Sequence, residues 1–81
     1  MRIMLSRMEL DYSAALGLLG ERIRDARNRL GISQEELAFR AEIDRTYVSQ
    51  IERGVGNPSL MVLLRLSAVL QAPLAKLLRS L

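Results

Sequence analysis

Residues 33–54, SQEELAFRAEIDRTYVSQIERG, are the stretch on which the fold turns. Ser33 stands where a helix N-cap belongs, and Glu36 three residues later completes a capping box, so a helix starts here. Asp44 is a second N-cap only a few residues after Ala41, so a very tight turn through Glu42 and Ile43 joins the two helices. The later one runs from Arg45 to Arg53 and is ended by Gly54. Where two short helices approach most closely a small residue is needed. Ala38 supplies it, flanked by Leu37, Ile43, Val48 and Ile51 as core.

This is helix-turn-helix spacing. With each residue advancing about 100° around a helix, Arg45, Thr46, Ser49, Gln50 and Arg53 fall on one face and Tyr47, Val48 and Ile51 on the opposite one. The polar group has the chemistry to read base edges. Arg donates two bonds to guanine, Gln bonds adenine bidentately and the Thr methyl packs on a thymine methyl, each good bidentate pair contributing about 1–3 kcal/mol of discrimination. Arg45, Thr46, Ser49 and Gln50 are therefore the candidate base contacts, against the plainer reading of solvated side chains on an exposed helix. Gln34, in the first turn of the preceding helix, lies beside free backbone N–H groups suited to a phosphate. Arg53 and Asn57, near the following loop, are further phosphate candidates, with Arg40 and Tyr47 behind them.

Working outward, Leu16, Leu19, Ile23, Ala26 and Leu30 recur three and four residues apart, the mark of an amphipathic helix closed by Gly31. The segment GVGNPS, residues 54–59, is a loop by composition, and Ser59 caps a fourth helix. Leu60, Leu63, Leu64, Ser67 and Leu70 are expected to share its inner face. Pro73 fits as the first residue of a short fifth helix bearing Leu74, Leu77, Leu78 and Leu81. Residues 1–15 form either a flexible arm or an extension of helix one, which Gly17 and Gly20 would each weaken by about 1 kcal/mol. Residues 16–81 then make one compact five-helix, all-α domain.

Bulk properties narrow the function. At 81 residues the chain holds one domain. It contains neither Cys nor His, which removes disulfides, thiolates, imidazole bases and the usual transition-metal ligands, so neither cofactor nor metal is expected. Its carboxylates lack a partner for acid–base chemistry, and an enzyme is not expected. The formal charge is +3 and the pI about 10.2, carried by Arg with Lys76 the single Lys. The guanidinium fork matches phosphate and the guanine edge, which favours a nucleic-acid partner. No apolar run approaches the length of a membrane span, no secretory signal is visible, and a cytoplasmic location follows. No part of the chain is left for a small-molecule ligand pocket or a catalytic domain.

From Leu19 to Leu78 the chain resembles the phage lambda-type repressor and Cro family, often called XRE-like, in SQEELAFRAEIDRTYVSQIERG and the following NPSLMVLLRL. The resemblance implies a lambda repressor-like fold whose second motif helix enters the major groove. It implies that Gln34 touches the DNA backbone, and it sets Arg27 against Glu52 as a structural ion pair fixing helix one on the reading helix. Members usually carry Gly at the first turn position; Glu42 stands there instead, at a cost of about 1 kcal/mol for left-handed backbone.

Stand-alone members of this size resemble the controller proteins of restriction-modification systems, which regulate their own promoter; small phage or plasmid repressors and DNA-binding antitoxins are similar too. Because each mismatch costs only about 1–3 kcal/mol, one copy cannot single out a genomic site, and a homodimer on a near-palindrome is expected. Leu74, Leu77, Leu78 and Leu81 are the expected interface, with Ile3, Leu5 and Met8 adding to it, against the plainer reading that all four leucines close the monomer core. Glu35 and Glu36 either touch RNA polymerase or form a solvated face near the helix dipole. A helical protein-interaction module that binds no DNA is the competing class.

Overall fold

Side-chain caps start α2, α3 and α4. The computed structural model describes the backbone of residues 2–81 and the side chains of residues 12–81. Its elements are α1 (Arg2–Leu30), α2 (Gln34–Ala41), α3 (Arg45–Glu52), α4 (Leu60–Leu70) and α5 (Leu74–Leu77), with no strand among the described residues. Gly31 at φ 70° ends α1. Ser33 Oγ accepts the Glu36 N–H at 3.0 Å, Asp44 Oδ1 that of Thr46 at 3.0 Å, and Ser59 Oγ that of Val62 at 3.2 Å. The capping box is only half made, because the Glu36 carboxylate accepts from Arg40 Nε at 2.7 Å. The guanidinium one turn along offers it a charge-assisted bond, stronger than a neutral N–H.

Glu42 does adopt left-handed backbone, at φ 58° and ψ 45°. Its N–H and that of Ile43 return to the carbonyls of Phe39 and Ala38 at 3.2 and 3.0 Å, satisfying the orphan acceptors that end α2. These bonds offset the backbone cost. Pro73 stands at the N-cap of α5, one residue ahead of its expected place.

The core is one cluster built from all five helices: Leu19, Ile23 and Ala26 of α1, Leu37, Ala38 and Ala41 of α2, Val48 and Ile51 of α3, with α4 and α5 closing it. Three expected positions change. Leu30, in the last turn of α1, is exposed and lines a cleft together with Leu70 at the end of α4. On α4 the buried residues are Val62, Leu63, Leu66 and Leu70, while Leu60 and Leu64 face out. An almost wholly apolar helix presents a plausible inner face at several rotations, and packing against α1 and α2 selects one.

The fifth helix is corrected as well. Leu77 is buried and Leu74 half-buried against the core, so these two close the monomer; of the four leucines assigned to an interface, Leu78 and Leu81 stay exposed. Ile3, Leu5 and Met8 lie outside the residues whose side chains are described. From residue 2 to residue 15 the backbone is helical and forms the first part of α1.

Glycine explains how α1 meets α3. A Cβ on Gly20 would fall 2.7 Å from the Glu52 carbonyl oxygen and nearer still to that of Ile51. A Cβ on Gly54, itself at φ 75°, would come within 2.9 Å of Gly17 Cα. The residue that looks like a weakness in an isolated helix is thus what lets the end of α3 rest directly on the α1 backbone.

Candidate nucleic-acid interface

On α3 the inward side chains are Val48, Ile51 and Glu52; Arg45, Thr46 and Gln50 are exposed and Ser49 half-buried at the border. The hydrophobic seam beneath fixes the helix rotation, because turning Arg45 inward would bury an unpaired guanidinium. Arg53, just past the helix, is exposed, its Nε 3.4 Å from the Ser49 carbonyl. The loop is tied back onto α3 by Val55 N–H donating to the Gln50 carbonyl at 3.0 Å, which presents Val55 and Asn57 beside the reading edge. Four of the five residues on the predicted face therefore share one open surface. Tyr47 is half-buried against the core. Arg40 is exposed on α2 but engaged by Glu36.

Glu52 is the one buried charged residue among those described, its side chain 1% exposed. A lone carboxylate there would be too costly to ionise. It is matched instead by a bidentate guanidinium, Arg27 donating from Nε to Oε2 at 2.7 Å and from Nη2 to Oε1 at 3.0 Å. Arg27 Nη1 also donates to the Ile32 carbonyl at 2.9 Å, in the turn that leads into α2. Hydrogen bonding to Glu52, against the opposing effect of burial, raises the Arg27 pKa above its ordinary value, with the charge attraction adding to it, so the pair keeps its cation at any usable pH. Among the described residues no buried side-chain nitrogen or oxygen lacks a partner.

Two further side chains join this network. Gln34 Nε2 donates to Glu52 Oε1 at 3.0 Å, so the amide expected to grip a phosphate is held by the carboxylate, and one carboxylate now links α1, α2 and α3. Arg24 lies with Nε 3.8 Å from the same oxygen and Nη2 3.4 Å from the Glu52 carbonyl, while half its side chain remains exposed at the edge of α3. Sequence reading passed over Arg24, although its place one turn before Arg27 on α1 was a usable signal. Val55 was also missed; its mark is an apolar residue between two glycines in an otherwise polar loop.

Two short helices locked at a fixed angle, with a polar edge held outward over an apolar seam, define a helix-turn-helix domain. The chain belongs to the helix-turn-helix family, whose model matches residues 23–77. It is 48% identical over 44 residues to the control protein C.BamHI of Bacillus amyloliquefaciens, covering 53% of this chain and 54% of that one. The restriction-modification controller protein C.AhdI of Aeromonas hydrophila superposes with a TM-score of 0.77 at 42% identity, over 79% of this chain and 97% of that one. The P22 c2 repressor, solved with a synthetic operator, gives 0.73 at 39% identity over 76% and 94% of the two chains. The chain spans about half the length of the curated relatives it matches first. The HTH-type transcriptional regulator SinR of Bacillus subtilis is a further relative, 40% identical over 75% of this chain and 56% of that one, and the expected lambda-repressor-like fold is confirmed by the two structures. Among the described residues no helix is long and apolar enough to cross a membrane.

Proposed function

We propose that this chain is a sequence-specific double-stranded DNA-binding regulator of transcription, acting as a homodimer on a near-palindromic operator in the cytoplasm, without enzymatic activity. The observation that carries the reading is the outward edge of α3: Arg45, Thr46 and Gln50 exposed, with Arg53 just beyond. In the major groove this edge offers a guanine fork, an adenine pair and a methyl. Arg53, Asn57 and the backbone N–H groups at the start of α2 hold the phosphates and set register, Gln34 acting there by orienting the turn, with Arg24 as a further cation at the rim. Similarity to C.BamHI and C.AhdI supports the role of a restriction-modification controller protein that regulates its own promoter.

Self-association draws on exposed apolar side chains. Leu78 and Leu81 remain of the expected set, Leu18 lies in the same shallow depression as Leu81, and α4 adds Leu60, Met61 and Leu64. Two copies joined this way present two α3 edges about one duplex turn, roughly 34 Å, apart. On α2, Glu35 and Phe39 are exposed, Phe39 at 79%, and are the side chains available to RNA polymerase; Glu36 is occupied by Arg40.

Selection of bound duplexes from a random pool tests the proposal. The expected result is a two-fold symmetric motif and an affinity that falls steeply with salt as counterions are released. Recovery of no motif, or binding indifferent to salt, would place the chain among protein-interaction modules instead.

A further inference from the structure

A cleft of about 250 Å³ opens between α1, the end of α4 and α5, away from the reading edge and from the Glu52 network. Among the described residues four cations line it, Arg22, Arg29, Lys76 and Arg79, and no carboxylate does. The ion pairs among the described residues use Arg24, Arg27 and Arg40, so none of the four has a counter-charge there. Like charges gathered at one opening repel each other unless an anion joins them. Below them Ala26, Leu70 and Leu77 provide an apolar floor.

One wall and one corner of the cleft are fixed before any ligand arrives, while Arg29, Lys76 and Arg79 reach in from exposed positions. Arg22 Nη1 donates to the Leu77 and Arg79 carbonyls at 3.0 and 2.6 Å, leaving Nε and Nη2 without a partner among the described residues. The corner between α4 and α5 is locked by Gln71 in left-handed backbone at φ 55° and by Ser67 Oγ donating to the Ala72 carbonyl at 2.6 Å. A cluster of donors held open over apolar surface is the general form of a small-ligand site.

We propose that this cleft binds a small organic anion with a compact aliphatic body, its carboxylate among Arg22, Arg29, Lys76 and Arg79 and its chain on the apolar floor. Sequence alone leaves no place for such a pocket, because its walls come from positions 57 apart that only folding brings together. An occupied cleft bridges α1 to α5 and stabilises the folded chain by mass action.

Octanoate serves as the probe on the full chain, followed by melting temperature and by backbone amide shifts in NMR. The expected result is a saturable rise in melting temperature, with shifts confined to residues 22–30 and 70–79. Octanol, which lacks the charge, and inorganic phosphate, which lacks the chain, should each bind about tenfold more weakly or worse, the usual loss when a charge-assisted contact or a buried aliphatic segment is removed. The double variant Arg29→Gln, Lys76→Gln should lose octanoate affinity by a similar factor. No saturation, equal binding of octanol, equal binding of phosphate, or an unaffected double variant each overturns the proposal. So does random-sequence duplex DNA that shifts the same amides more strongly than octanoate, since the cations would then be a nucleic-acid contact. If the variant folds poorly, the three probes on the unaltered chain still decide.

Discussion

Helices α3 and α4 both close the core, yet they do so with opposite kinds of surface. On α3 the division is sharp, with Val48 and Ile51 inward and Arg45, Thr46 and Gln50 in solvent. On α4 apolar residues run around much of the circumference, and Leu60, Met61 and Leu64 are left 63%, 61% and 49% exposed. The polar outer edge of α3 costs the fold nothing, so its chemistry is free to serve a ligand. The apolar outer edge of α4 has no such freedom, because exposed aliphatic surface gains by being covered.

The largest expected effect lies beneath α3. Arg27→Ala strands the Glu52 carboxylate, and loss of one partner of a buried pair costs about 3–5 kcal/mol. For a domain of this size that is a fall in melting temperature of about 4–8 °C per kcal/mol, measurable by circular dichroism. A change within a few degrees would mean that Arg24 and Gln34 alone satisfy Glu52, and that α3 is held by its seam.

Next, the two sides of α4 separate by single truncations. Leu66→Ala, from a fully buried position, should destabilise by about 2–5 kcal/mol, whereas Leu64→Ala should stay within about 0.5 kcal/mol in the monomer. Sedimentation sharpens the contrast. Should Leu64→Ala also shift a dimer toward monomer, the exposed side of α4 is an interface; should it leave association untouched, Leu78 and Leu81 must carry the contact.

The α1 glycines give a smaller effect with opposite signs. Gly20→Ala should destabilise by about 1–3 kcal/mol as its methyl meets the α3 carbonyls. Gly17→Ala, whose Cβ would have nothing within 4 Å, should stabilise by up to about 1 kcal/mol through helix propensity. Two stabilising results in denaturant titrations would show that α3 does not rest on the α1 backbone.

Smallest in its effect on the fold is Arg45→Ala. Melting should move by no more than about 0.5 kcal/mol, while affinity for the selected site falls by about 1–3 kcal/mol and preference relaxes at one base pair. A uniform loss on every sequence would make Arg45 a phosphate contact and leave base reading to Thr46 and Gln50.

Local signals made α2, its turn and α3 legible before folding was considered, because Ser33 and Asp44 cap through bonds to N–H groups two or three residues away. The same locality explains why Gly31 and Gly54 were readable as ends. Gln34 shows where that legibility stops. Its position in a first turn is a local fact, but its bond to Glu52 crosses 18 residues and competes with the expected phosphate contact. The α4 face failed for a related reason, since Arg65 and Ser67 are the only polar residues in LMVLLRLSAVL and do not by themselves single out one inner face, and Leu77 of α5 was placed only by its packing on the core.

What the chain's own order of residues determined was the set of helices, the two-sided character of α3 and the outward Arg45 edge, all consequences of period and capping. Only tertiary packing decided which leucines of α4 and α5 became core, why Gly20 must lack a side chain, and how the carboxylate of Glu52 binds three helices together. Those outcomes depend on contacts between distant segments, whose geometry exists only once the chain has closed on itself.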